Sequence, residues 1–186
     1  ICAEEDIIKQ DIKKSIYYYE LAANQNHPIA LFNLGNIYFE GKYVPQNIDK
    51  YIHYLNLAAN QNYPDALFNL GLFYYEGKYI KRDIKQSIQY FTSAANNNHT
   101  LAQYYLGIIY YEGKYVTRDI NLAIKYLSLA SNDGHLSDAQ SILGLIYYDN
   151  RYIERDIYKS IHYLKLAVDQ DNTMAQYNLG VIYYQG

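Results

Sequence analysis

The chain has 186 residues, half of them apolar, with 16 basic and 19 acidic side chains and a formal net charge of -3. Lysines and arginines are scattered among the acids, so there is no basic stripe for a nucleic-acid backbone, and a single cysteine, Cys2, excludes an internal disulfide. That cysteine usage tilts the expected compartment towards a reducing, cytoplasmic one. The longest uncharged stretch, Leu21 to Phe39, is interrupted by Asn24, Gln25, Asn26, His27 and Pro28, which argues against membrane insertion. No signal-peptide pattern or initiator methionine is visible, and the chain opens inside one repeat and closes after the first helix of another. We therefore expect a segment of a longer protein.

The organising feature is a period. Gly35, Gly71, Gly107, Gly144 and Gly180 stand 36, 36, 37 and 36 residues apart, each in the frame Leu-Gly-x-x-Tyr-x-x followed by Gly or Asn. A fixed period of this length marks supersecondary units that cannot bury their apolar faces alone and must stack. Of the 26 tyrosines, 18 fall in four columns of the period, a register that a disordered tract has no reason to hold.

In chain order, residues 1–26 read as the end of one helix A followed by a helix B that Asp11 opens and Asn26 closes. Residues 27–62 form the first complete unit. His27 precedes Pro28, which suits a first helical turn, and helix A runs to Glu40 before Gly41 ends it in the left-handed conformation. Ala30, Leu31, Leu34, Gly35, Ile37 and Tyr38 share an arc of roughly 160 degrees, the expected core face. A mid-helix glycine costs about 1 kcal/mol relative to alanine, so Gly35 asks for the close approach of a neighbouring helix backbone.

After a loop over Lys42 to Gln46, Asn47 caps helix B. Ile48, Ile52, Leu55 and Ala59 face inward, Asp49, Lys50, His53 and Asn56 outward, and Asn62 ends it. Residues 63–98, 99–134 and 135–171 repeat this plan, with N-caps at Asp83, Asp119 and Asp156 and helix-B ends at Asn98, Gly134 and Asp171. Gly77 and Gly113 stop helix A in the second and third units, and Asn150 takes that place in the fourth. Residues 172–186 supply a last helix A.

The frame Ala-x-x-x-Leu-Gly-x-x-Tyr-x-x-Gly, an Asp opening the second helix and Ala-Ala near its end resemble the Sel1-like repeat, a relative of the tetratricopeptide repeat. Only Glu5 and Asn150 depart from its terminal glycine. The resemblance implies an all-α solenoid, a right-handed superhelix of antiparallel helix pairs, acting as an adaptor. Family members serve in membrane-protein quality control, activation of cell-wall synthases, and bacterial secretion and host interaction, and some lie beside kinase domains. One bacterial branch was proposed to bind or cleave β-lactams; it is cysteine-rich, and this chain has no such pairs.

The resemblance also places a partner on the inner curve of the A helices. A second arc of the helix-A wheel carries the column Phe32, Phe68, Tyr104, Ser141, Tyr177 and the column Phe39, Tyr75, Tyr111, Tyr148, Tyr184. Asn36, Leu72, Ile108, Leu145 and Val181 form a third column, and Glu40, Glu76, Glu112, Asp149 and Gln185 an edge. This reads as an aromatic groove edged with carboxylates for a peptide or protein segment bearing apolar anchors and basic residues. Phe32, Phe68, Tyr75, Tyr104, Tyr111 and Tyr177 are its candidate anchors, and Glu40, Glu76 and Glu112 its candidate charges. The alternative is that the aromatics pack one copy on the next and the acids pair with Lys42, Lys78 and Lys114.

Catalytic chemistry is not legible. Five residues separate Gly35 from Gly41, where a phosphate-binding loop has four, and Tyr43 follows Lys42 where a hydroxyl ligand belongs. His27, His99 and His135 share a helix-start position, and His53 and His162 an outer face; no metal-ligand spacing and no nucleophile with a base appear. Asn98-His99-Thr100 matches a glycosylation acceptor by pattern alone. The expectation is a non-catalytic binding scaffold without cofactor or metal, the alternatives being a regulatory arm of a larger enzyme such as a kinase and a hydrolase within the repeats.

Overall fold

The structure, a computed structural model, describes residues 2–134 and 136–185, with side chains from 11 to 132 and from 136 to 185. Among the described residues all regular structure is helical. Two units divide the chain, one up to Asn97 and one from Asn98. The first holds α1 (Cys2–Ala23), α2 (Pro28–Glu40), α3 (Ile48–Ala59), α4 (Pro64–Glu76) and α5 (Ile84–Asn96). The second holds α6 (Thr100–Glu112), α7 (Ile120–Gly134), α8 (Ser137–Tyr148), α9 (Ile157–Val168) and α10 (Thr173–Gln185). Even-numbered helices are A helices, and each of α2, α4, α6 and α8 packs on the B helix that follows it.

Local chemistry sets the boundaries. Pro28 and Pro64 stand in the first turns of α2 and α4, where the missing N–H is no loss. The Nδ1 atoms of His27 and His99 accept the backbone N–H of Ala30 and Ala102 at 3.3 and 3.2 Å, and Asn172 Oδ1 accepts that of Ala175 at 2.9 Å. The helix-start role expected of this column is therefore observed at His27, His99 and Asn172; Tyr63 stands at the N-cap of α4 without a side-chain capping bond, Leu136 takes the N-cap of α8, and His135 lies outside the described residues. Asn47, Asp83, Asp119 and Asp156 each accept the N–H three residues on at 2.9 to 3.0 Å. Asp11 does not: α1 runs unbroken past it. Glu5 replaces the glycine that would stop the preceding helix, so the first partial copy has no left-handed break before Asp11.

Gly41, Gly77 and Gly113 adopt φ of 66, 66 and 62 degrees, and Asn26, Asn62, Asn98 and Asp171 close their B helices at 58 to 60 degrees. Two expected stops differ. Gly134 stays inside α7. Asn150 is not left-handed: α8 ends at Tyr148, and Asp149 is extended at φ of -81 degrees. There the Asp149 carboxylate accepts both the backbone N–H and the guanidinium of Arg151, a local turn that replaces the glycine stop.

The core lies between the A and B helices of each unit. Ala30, Leu31, Leu34, Leu55, Ala59 and Phe91 are buried in the first unit, and Leu106, Leu127, Leu143 and Leu164 in the second. Ile37, Tyr38, Ile48 and Ile52 are only half-buried, while Tyr51 and Ala58, which the wheel did not single out, are fully inside.

Side chains rather than helix backbone chiefly fill the space beside the mid-helix glycines. A Cβ at Gly71 would lie 2.5 Å from the Phe91 ring, one at Gly107 2.6 Å from Leu127 Cγ, and one at Gly144 2.6 Å from Leu164 Cγ. At Gly35 the fit is looser, 3.4 Å from Tyr51 and Tyr54. Ser87 and Ser160 reinforce the contact by donating Oγ–H to the carbonyls of Gly71 and Gly144 at 2.8 Å. Gly180, by contrast, has nothing within 4 Å of its would-be Cβ. Replacing Gly71 or Gly107 by alanine should therefore destabilise the protein by about 1–3 kcal/mol through overpacking. Gly180→Ala should be neutral or stabilising by up to about 1 kcal/mol from helix propensity. Urea melts of the three variants decide this; equal effects would mean that the pocket does not govern the glycine.

At the last turn of each complete A helix a tyrosine stacks on one from helix B. The pairs Tyr38–Tyr54, Tyr74–Tyr90, Tyr110–Tyr126 and Tyr147–Tyr163 have centroids 5.9, 5.7, 6.1 and 5.8 Å apart and planes within 12 degrees. Burial raises the pKa of Tyr54, Tyr90, Tyr110 and Tyr147. It pushes Tyr51 from 10.0 up to about 12, against a hydrogen bond with Asn69 that acts the other way. An unfolded chain releases these protons first, so stability is complete below pH 10 and falls as pH rises towards 12. Thermal melts should show a lower Tm above pH 10, and Tyr51→Phe should flatten that decline; parallel profiles would refute the assignment.

Candidate partner-binding surface

In the first unit most of the expected groove aromatics are spent on packing. Phe68 is 8 % exposed with its ring 5.7 Å from that of Phe91, so it is a core side chain and not an anchor. The helical wheel placed it beside the core face, and α5 extends the core to cover it. Phe32 is half-buried, 5.3 Å from the Tyr63 ring, and Tyr75 is half-buried, 6.4 Å from Phe91. Phe39 sits among Tyr51, Phe73 and Tyr79 at 4.7, 6.1 and 6.0 Å. Glu40 and Glu76 are exposed.

In the second unit Tyr104 and Tyr111 are half-buried against the cluster built on Leu127 and Leu143. Burial raises the pKa of both phenols, so they stay neutral across the ordinary pH range. Ser141 is buried, interrupting that column, whereas Tyr177 and Tyr184 on α10 are 68 % and 93 % exposed. Glu112 is exposed.

The loop cations do something other than the expected pairing with those acids. Lys42, Lys78 and Lys114 lie over the rings of the next residues, Tyr43, Tyr79 and Tyr115, at 5.0, 5.0 and 5.1 Å. Sequence reading also missed a recurrent seal on the A helices. The residue five positions after the terminal glycine returns to the last helical carbonyls: Gln46 Nε2 to Phe39 O at 2.7 Å, Arg82 to Glu76 O at 3.0 Å, and Arg118 to Tyr111 O and Glu112 O at 2.9 Å. A Cβ on Gly41, Gly77 or Gly113 would stand 2.8, 2.6 or 2.6 Å from the Cβ of that residue, so glycine is needed for space as well as for φ. Equal spacing of the two positions was the available sequence signal.

The fourth repeat breaks this seal. With Asn150 in place of glycine, the equivalent Arg155 lies over the Tyr148 ring at 4.2 Å, and Arg151 bonds Asp149 at 2.5 Å. The Arg151 guanidinium holds the Asp149 carboxyl below its usual pKa range. Tyr148 donates its hydroxyl to Gln185 Oε1 at 2.6 Å. A concavity of about 470 Å³ results, lined by Tyr111, Leu145, Tyr148, Asp149, Asn150, Arg151 and Arg155. It adjoins a second of about 300 Å³ bounded by Tyr111, Glu112, Arg118, Arg151 and Tyr152. Arg118 bridges to the Tyr152 hydroxyl across this floor.

No three His, Cys, Asp or Glu side chains gather for a metal among the described residues, and no described helix is long and apolar enough to cross a membrane.

The Sel1 repeat family model matches residues 4–27, 28–63, 64–99, 100–135, 137–172 and 173–186. The chain belongs to the Sel1 repeat family. A Sel1 repeat protein from Oxalobacter formigenes is 34% identical with a TM-score of 0.80, over 92% of this chain and 69% of that one. A protective antigen of uropathogenic Escherichia coli displaying an SLR fold is 27% identical with a TM-score of 0.86, over 92% of this chain and 36% of the antigen. This Sel1 repeat chain thus spans little more than a third of the antigen's length. Cysteine-rich protein B of Helicobacter pylori is 32% identical with a TM-score of 0.57, over 73% of this chain and 97% of its own. Comparison with curated proteins gave no match. Sel1 repeat proteins are generally protein-interaction scaffolds.

Proposed function

We propose that the chain is a non-catalytic adaptor, with repeats at 27–62, 63–98, 99–134 and 135–171, that captures a peptide or protein segment along its A helices. The supporting observation is the exposed carboxylate at the C-terminal end of successive A helices, Glu40, Glu76 and Glu112, each following a half-buried aromatic, Phe39, Tyr75 or Tyr111. Such a surface offers rigid apolar area to an anchor and orients cations beside it. Phe32 and Tyr75 in the first unit, and Tyr104, Tyr111 and Tyr177 in the second, keep exposed area and remain the proposed contact residues of each unit's own surface. Phe68 is excluded by its burial.

A fluorescein-labelled peptide alternating lysine and phenylalanine should bind this chain saturably in a polarisation assay. The double charge reversal Glu40→Lys with Glu76→Lys should weaken it about tenfold, because rim charges set partner choice, and leave the melting curve in place. Equal affinity for parent and variant would remove the acidic edge from the binding surface.

A further inference from the structure

The fourth repeat carries an unspent cation. In the second and third repeats the arginine five residues after the glycine caps helical carbonyls, but Arg155 makes no hydrogen bond or ion pair among the described residues. It is exposed and held over Tyr148. A guanidinium held over a ring still has N–H groups for a second partner, with part of the side-chain entropy already given up. The nearby acids do not satisfy it: Asp149 is taken by Arg151, Asp156 by Lys159 at 3.1 Å, and Glu154, exposed beside it in a shared depression, makes no ion pair with it. Glu112 lies in the adjoining depression with Arg118 and Arg151. Beside Arg155 the concavity offers Tyr111, Leu145 and Tyr148 as an apolar wall.

We infer that this concavity is an acidic-segment site: Arg155 takes an Asp or Glu side chain of an extended peptide, and Tyr111, Leu145 and Tyr148 take the apolar residue beside it. Planar bidentate pairing with a carboxylate is what a guanidinium edge does best. The inference rests on the adaptor reading but reverses its charge in one repeat. The substitution of Asn for glycine that opens the helix end also frees the arginine, so this repeat is a specialised one.

The test uses two labelled peptides, one alternating glutamate and phenylalanine and one alternating lysine and phenylalanine, with the parent chain, Arg155→Gln, Arg155→Lys and the Glu40/Glu76 charge reversal. The acidic peptide should bind the parent, lose about tenfold or more in affinity with Arg155→Gln, and lose part of it with Arg155→Lys, which keeps the charge without the planar fork. The charge reversal should leave acidic-peptide affinity no weaker. Circular dichroism melts confirm folding, and because Arg155 is exposed both variants should match the parent. No saturable binding of the acidic peptide, unchanged affinity in Arg155→Gln, or an equal loss for the basic peptide would overturn the inference. Failure of the adaptor's acidic edge shows separately, as a basic-peptide affinity indifferent to Glu40 and Glu76.

Discussion

In three of the repeats a side chain from the B helix reaches into the space that a missing Cβ leaves on the A helix, and the rest of these units depends on that contact. Phe91 against Gly71, Leu127 against Gly107 and Leu164 against Gly144 bring two helices closer than any larger residue would allow. The loss of helix propensity at the glycine, about 1 kcal/mol, is offset by burial of a large apolar side chain worth about 1.5–3 kcal/mol. Ser87 and Ser160 make the same approach directional through the glycine carbonyl, so the pair is fixed in rotation as well as in distance. Stacked tyrosines then fix the far end of each pair.

Close pairing governs what remains for a partner. In α2, α4 and α6 the A helix spends one face on its glycine pocket and much of a second on neighbouring aromatics, which leaves the C-terminal edge and half-covered rings such as Tyr104 and Tyr111 as the surface for the proposed partner. The proposed adaptor role accordingly draws on helix ends, where backbone carbonyls, loop cations and ring edges converge.

The punctuation of the fold was legible because it is set within a few residues. Proline at a first turn, Asn or Asp at a cap, and glycine at a left-handed stop act through their own backbone geometry, and apart from Asp11, Gly134 and Asn150 the structure places them where the sequence did. The family resemblance rests on the same residues. Illegible were features decided by what another helix brings. Phe68 sits on the wheel beside the core face, and only the position of Phe91 settles that it is buried. Tyr51 enters the core although Tyr54, three residues on, does not. Asn150 has the right tolerance for a left-handed turn, yet Asp149 and Arg151 offered the chain a competing one. Gln46, Arg82 and Arg118 looked like ordinary loop polarity until their carbonyl partners were in view.

The contact between each stop glycine and the residue five places later locks the length of the A-to-B loop. Gly41 with Gln46, Gly77 with Arg82 and Gly113 with Arg118 share that interval, and Asn150 with Arg155 keeps it even where the seal is lost. An inserted residue there would pull the capping group off its carbonyls, whereas an exchanged one alters only charge or reach. The single extra residue in the period, between Gly107 and Gly144, accordingly falls in the opposite connection, after α7. In this chain the A-to-B connection holds its length and changes only letters, while the one change of length falls in a B-to-A connection.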